Sequence, residues 1–261
     1  MSIRKAFLAA AALALIVAVS SALARGAATP IAITSSLDGK KVLPHRIHWL
    51  AFPKLAHAQL KEVDFLIDGG PVRWVEHNPP YSYSDDGAYL VTSWLSPGPH
   101  RFTVRVIAKD GRIGTDTVTA QVVAPPAVPT ALKGNWQKTV TGSTEPGWPN
   151  GTYVVKFDPR WIELDHPGPF DPVKSIPTGE GYINYLDWVP AGTRFQTQSS
   201  VTLKAQGPKD RVGGWLCDAG GPAATYTWSV SADTLTLTPV GGHDACKIRG
   251  FVFSGDWTRK S

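Results

Sequence analysis

Cysteine is almost absent from this 261-residue chain, which carries only Cys217 and Cys246. Two cysteines cannot make a disulfide-dense scaffold or a thiolate zinc site, and no Cys-x-x-Cys pair marks a thiol catalyst. Long apolar runs are equally scarce: one extends from Ala6 to Val19 and no second follows, which excludes a bundle of membrane-spanning helices. Charge of one sign is lacking too. The 26 Lys and Arg against 21 Asp and Glu leave a formal +5, and no basic run is interleaved with aromatics as a nucleic-acid interface requires. No Gly-x-Ser-x-Gly elbow, phosphate-binding loop or dinucleotide fingerprint occurs, so these enzyme scaffolds have no support. A helical period is hard to place anywhere beyond the first 24 residues.

What the first residues do have is an order of features. Ser2, Arg4 and Lys5 precede the apolar run, and Ala22-Leu23-Ala24 supplies a small-x-small cleavage pattern. This predicts a secretory signal peptide over residues 1–24, the run being shorter than the roughly 20 residues of a membrane span. With no cysteine near the cleavage point, a lipid anchor is disfavoured. The expected mature chain is secreted or periplasmic, without stable membrane insertion, and its Ala-rich signal looks bacterial. Losing Arg4 and Lys5 lowers the formal charge by two, and a nucleic-acid partner is not expected. In an oxidising compartment Cys217 and Cys246 are expected to form one disulfide. Closing a loop of about 29 residues would contribute on the order of 3.5 kcal/mol in the chain-entropy account.

Pro125-Pro126-Ala127-Val128-Pro129 interrupts both sheet and helix, because proline cannot donate to a ladder. It sets a linker at 125–130 between modules at 30–124 and 131–261. The first module reads as short strands over Ile31–Ser35, Arg46–Ala51, Val63–Ile67, Tyr89–Trp94, His100–Ile107 and Thr115–Val123, with turns such as Ile67-Asp68-Gly69-Gly70 and Lys109-Asp110-Gly111. Its order of Val63 to Gly69, Pro80-Tyr81-Ser82-Tyr83 and Pro97-Gly98-Pro99-His100 resembles the bacterial Ig-like domains appended to exported carbohydrate-active enzymes, without the antibody-type Cys pair.

The second module alternates large apolar with small polar residues in Tyr153 to Phe157, Val201 to Lys204, Tyr226 to Val230 and Leu235 to Thr238, and Phe251-Val252-Phe253 reads as a further strand. With Gly134-Asn135-Trp136 at its start and Gly255-Asp256-Trp257-Thr258-Arg259 at its end, it resembles the lipocalin-like (calycin-like) barrels of bacterial exported proteins. That resemblance implies structural roles for Trp136 and Trp257, with Arg259 covering the first-strand Trp. The fold class is therefore all-β: an N-terminal immunoglobulin-like β-sandwich and a C-terminal lipocalin-like antiparallel β-barrel after the signal peptide. A Pro- and Gly-rich loop is expected from Asp165 to Gly181.

Strand parity sets Tyr153 with Phe157, Tyr226 with Trp228, and Phe251 with Phe253 on common faces, so these six residues form a candidate ring-lined ligand wall. An eight-stranded barrel can equally be filled by its own side chains. Trp161, Tyr182, Tyr185 and Trp188, near the long loop, form a candidate surface platform for sugar stacking, or else pack that loop onto the barrel. His45 with His48, and His243-Asp244 beside Cys246, are too few for a metal site. Asp158, Glu163, Asp165, Asp171, Glu180 and Asp187 have no fixed separation that would mark a glycosidase pair. No catalytic residue, metal or cofactor is assigned. The function expected is non-catalytic binding of a small hydrophobic or ring-containing ligand or an envelope partner. The alternative is a structural or adhesion-type protein with a solid barrel that contacts cell-surface glycan or protein, and a hydrolase or its accessory subunit ranks third.

Overall fold

The computed structural model describes residues 29–84, 89–142, 150–165, 167, 183–199 and 222–261, with the backbone alone for 183–185 and 199. Within them the chain is nearly all β. The first half forms β1 (Ile33–Ser35), β2 (Val42–Leu43), β3 (Arg46–Ile47), β4 (Ala51–Pro53), β5 (Leu60–Ile67), β6 (Val72–Glu76), β7 (Leu90–Val91), β8 (Gly98–Ala108) and β9 (Ile113–Val122). The larger sheet has the order β2-β9-β8-β5-β6, and the pairs β1-β4 and β3-β7 make two short sheets.

Alternation carries the pattern. Along β8, His100, Phe102, Val104, Val106 and Ala108 are buried while the residues between them are not, the period of a strand with one face on a core. That core is centred on Trp49, whose ring lies 5.0 Å from Phe65, 5.4 Å from Tyr83 and 5.6 Å from Phe102. Two differences from the expected strands follow from the same residues. Arg46–Ala51 is not one strand, because the backbone of Trp49 and Ala51 exchanges hydrogen bonds with Tyr83 and Tyr81, which draws this stretch out of the β3-β7 ladder. Strand β6, unassigned in the sequence reading, pairs with β5 across a register shift at Phe65/Leu66, and such an irregularity blurs the period-2 signal.

The second half forms β10 (Asn135–Val140), β11 (Gly151–Phe157), β12 (Ile162–Asp165), β13 (Ile183–Ala191), β14 (Arg194–Ser199), β15 (Ala224–Ser231), β16 (Thr234–Pro239), helix α1 (Lys247–Phe253) and β17 (Gly255–Arg259). These eight strands close into an antiparallel barrel in chain order, and β17 returns to β10 through Trp136↔Arg259 and Gln137↔Thr258. The proline segment ends on this barrel. Val128 and Leu132 are buried in the barrel core, and the Trp136 indole donates to the Leu132 carbonyl at 3.0 Å.

One expected strand is a helix. Phe251, Val252 and Phe253 end α1, where Arg249, Val252 and Phe253 are buried and Phe251 is 42% exposed. Three apolar residues in a row do not distinguish a period of 2 from one of 3.6. In the helix, residues 249, 252 and 253 share one face and Phe251 lies on another, so Phe251 is not part of the barrel wall. The strand expected over Val201 to Lys204, the segment from Asp171 to Tyr182, and Cys217 lie outside the described residues.

Candidate functional site

The barrel interior is occupied by rings in contact with one another. From Trp188 the chain of centroids runs 5.3 Å to Phe157, 5.7 Å to Phe195, 5.6 Å to Tyr226 in a stacked pair, 5.9 Å to Phe253 and 6.2 Å to Trp257. These spacings belong to edge-on and offset-stacked aromatic packing. Strand parity brings them together: residues 153, 155 and 157 of β11, 186 and 188 of β13, and 235 and 237 of β16 are all buried in the same core. Of the candidate wall residues, Tyr153, Phe157, Tyr226 and Phe253 are inside. Trp228 is half-buried at the margin of the cluster, its indole N–H without an acceptor among the described residues.

Of the candidate surface platform, Trp188 is turned into the core. Trp188 is 1% exposed, and its indole donates to the Asp158 carbonyl at 2.7 Å. It shares its inward parity with Leu186, so it belongs to the core. Trp161 is half-buried, donates to Glu163 Oε1 at 2.9 Å and lies under the Arg160 guanidinium, 4.1 Å from the ring centroid. Tyr185 stands opposite Glu163 in the β12-β13 register, and Tyr182 lies outside the described residues. At the closure seam, Trp136 and Trp257 are fully buried. The Arg259 guanidinium lies 4.1 Å from the Trp136 ring and donates to the Lys133 carbonyl at 2.8 Å.

A polar knot lies where the ring cluster meets the segment before α1. Arg249 is fully buried and grips Asp244 with two bonds, Nε to Oδ2 at 2.6 Å and Nη2 to Oδ1 at 2.7 Å, and Nη2 also reaches the Pro222 carbonyl. Tyr226 donates its hydroxyl to Asp244 Oδ2 at 2.6 Å. Burial, then the Asp244 carboxylate, push the Tyr226 phenol far above its usual range, so it acts as a donor throughout. The Cys246 amide donates to Asp244 Oδ1. This knot uses the acid of the His243-Asp244 pair for structure, while the His243 ring stays exposed. Among the described residues no group of three His, Cys, Asp or Glu is placed to hold a metal.

Space for a ligand lies elsewhere, between the two halves of the chain. An open cleft of about 640 Å³ has Pro44, His45 and Arg46 on one side and Val189, Ala191, Arg194 and Val240 among its residues on the other. The halves are fastened beside it. The Gln198 amide accepts from the Tyr89 N–H at 3.1 Å and donates to the Tyr89 carbonyl at 2.5 Å, and Ser93 Oγ donates to the Arg160 carbonyl at 2.9 Å. Arg46 lies across the Tyr89 ring, 4.0 Å from its centroid, and the buried Nδ1 of His45 has no partner among the described residues. Burial holds the His45 pKa below its ordinary value. Sequence reasoning missed this cleft because its two walls are some 150 positions apart and neither carries a motif.

The chain matches no protein-family profile and no curated protein. Among solved structures it is similar to an endo-beta-1,4-mannanase from Thermotoga petrophila, with 12% identity and a TM-score of 0.29 over 38% of this chain and 21% of that one. It is also similar to the fibronectin(III)-like modules of CbhA from Clostridium thermocellum, with 17% identity and a TM-score of 0.27 over 36% of this chain and 96% of that one. The chain thus spans about a fifth of the mannanase's length.

Proposed function

We propose that this is an exported, non-catalytic binding protein in which the barrel is a packed scaffold and the ligand site is the cleft between the two halves. The observation that carries this reading is the unbroken contact of rings from Trp188 to Trp257, which takes up interior space that a hollow ligand-binding barrel would keep open. The cleft has the volume and the mainly apolar lining of a small-molecule site, and junctions between modules are common places for one. Export is supported by the charged start, apolar run and Ala22-Leu23-Ala24 of the first 24 residues. We further read the first half as an Ig-like spacer and the second as a lipocalin-like barrel. Supporting these are the sheet order with its Trp49 core and the Trp136–Arg259 stack at the closure seam.

Protein taken from its own host's extracytoplasmic fraction is expected to carry a small-molecule adduct in its native mass spectrum that is lost on denaturation. A clean apo mass from folded protein would instead favour the second reading, a solid two-module structural protein with surface partners, which the same ring-filled barrel supports.

A disulfide between Cys217 and Cys246 belongs to this proposal, supported by the absence of any free cysteine among the described residues. Cys246 caps α1, its sulfur accepting from the Arg249 amide at 3.4 Å. Cys217→Ser is expected to lower the melting temperature by on the order of 10 °C while leaving the far-ultraviolet spectrum of the sheet intact. An equal loss should follow reduction of the unmutated protein, and a melt that neither treatment moves means the thiols are unpaired.

A further inference from the structure

We propose that the cleft between the two halves takes a small organic anion with an apolar or ring-bearing body, its charged head held between Arg46 and Arg194; this rests on the reading of that cleft as the ligand site. The charge balance of the walls is the first argument. Both arginines border the cleft, whereas among the described residues no Asp or Glu does. Neither arginine has an ion-pair partner among the described residues, although Arg105, Arg112, Arg160, Arg249 and Arg259 each do. The buried acid Asp187 borders a small adjoining recess together with Arg46, not the cleft itself.

Arg46 is also held in place. Its guanidinium rests 4.0 Å from the centroid of the Tyr89 ring, and the Tyr89 backbone is pinned on both its N–H and its carbonyl by Gln198. Stacking uses the face of the guanidinium and leaves its in-plane N–H groups for an acceptor. A planar fork of this kind fits a carboxylate or sulfonate with two parallel bonds. Beside it Val189, Ala191 and Val240 offer apolar wall, where attraction to a fixed cation is less screened than in bulk water. The buried His45 Nδ1, without a partner among the described residues, adds one more polar group on the Arg46 side. A cavity of about 640 Å³ is the size of sites for drug-sized molecules. Together these features select an amphipathic anion over a neutral apolar molecule, which would leave both arginines unpaired, and over a free inorganic anion, which would leave the apolar wall wet.

The test uses two probes of nearly the same shape: anilinonaphthalenesulfonate, which is anionic, and N-phenylnaphthylamine, which is not. Titrated into the full-length folded protein, the sulfonate is expected to bind at one site per chain, at least about tenfold tighter than the amine, as one charge-assisted pair implies. Arg194→Gln, at an exposed position, and Arg46→Gln should each weaken sulfonate binding about fivefold or more while leaving the amine within about twofold. Ala191→Trp, which fills the cleft, should abolish both. Equal affinity for the two probes, indifferent to either arginine yet blocked by Ala191→Trp, would keep the cleft as a binding site and overturn the anionic ligand class. Failure of both probes to bind, or binding that Ala191→Trp does not touch, would overturn the cleft and the ligand class together.

Discussion

Replacing Arg249 with Met is expected to cost the barrel about 3–5 kcal/mol, measured by denaturant unfolding. The reason is what the change leaves behind. Asp244 has a completely buried side chain, and two of its four closest bonds come from Arg249; the others come from Tyr226 and the Cys246 amide. Without the guanidinium, a carboxylate stays in a ring-lined interior with neutral donors only, and that desolvation is uncompensated. The loss also frees the Pro222 carbonyl, so the start of β15 and the helix α1 lose their shared anchor.

The pair itself is a different matter. Bringing two ions out of water costs several kcal/mol each, and attraction roughly repays it, so an apolar substitute of similar volume can be neutral. Arg249 also keeps one nitrogen, Nη1, buried without a partner among the described residues. The double change Asp244→Leu with Arg249→Met is therefore expected to recover most of what Arg249→Met loses, a coupling of about 2 kcal/mol or more by double-mutant cycle. Additive losses would show that the two side chains do not act as a unit, and a single-mutant cost under about 1 kcal/mol would show that water reaches Asp244. What the pair then supplies is register: a single place where the 244–249 segment can dock on Tyr226.

Alternation made most of the strands legible. Tyr153 to Phe157, Tyr226 to Val230 and His100 to Ala108 are half-buried ladders, and their period of 2 is written directly in the residue order. Trp136 and Arg259 were legible for another reason, the resemblance of Gly134-Asn135-Trp136 and the Arg259 end to lipocalin-like barrels, and in the structure the two residues pair where the first and last strands meet. Three features were not. Trp188 sits beside an acid and a Pro-rich stretch, which reads as surface, yet its parity with Leu186 turns it inward. Asp244 and Arg249 look like solvated charges because their pairing depends on a loop and a helix meeting a third element, Tyr226. The cleft arises only when His45 and Arg46 come to face Val189 and Arg194, and no local pattern encodes that approach.

The helix at the end of the chain allows a sharper test, because Phe251 and Phe253 are two residues apart and of one kind. Were they in a strand, both would face the same side and truncating either would cost a similar amount. In α1 they diverge. Phe253 is fully buried between Tyr226 and Trp257, with centroids 5.9 and 6.2 Å away, whereas Phe251 is 42% exposed. Phe253→Ala is therefore expected to cost about 3–5 kcal/mol, the sum of lost transfer energy and the cavity left behind. Phe251→Ala should stay within about 0.5 kcal/mol, as surface changes do. The hole made by the first is apolar and ring-walled, the kind that stays dry and accepts benzene. Benzene should then raise the melting temperature of Phe253→Ala and leave that of the unmutated protein unmoved, since a ligand stabilises only a fold with room for it. Equal costs for the two phenylalanines would mean that the segment is a strand after all. Benzene stabilising the unmutated protein as much as the variant would mean that the barrel interior is hollow, and the ligand site would then move from the cleft into the barrel.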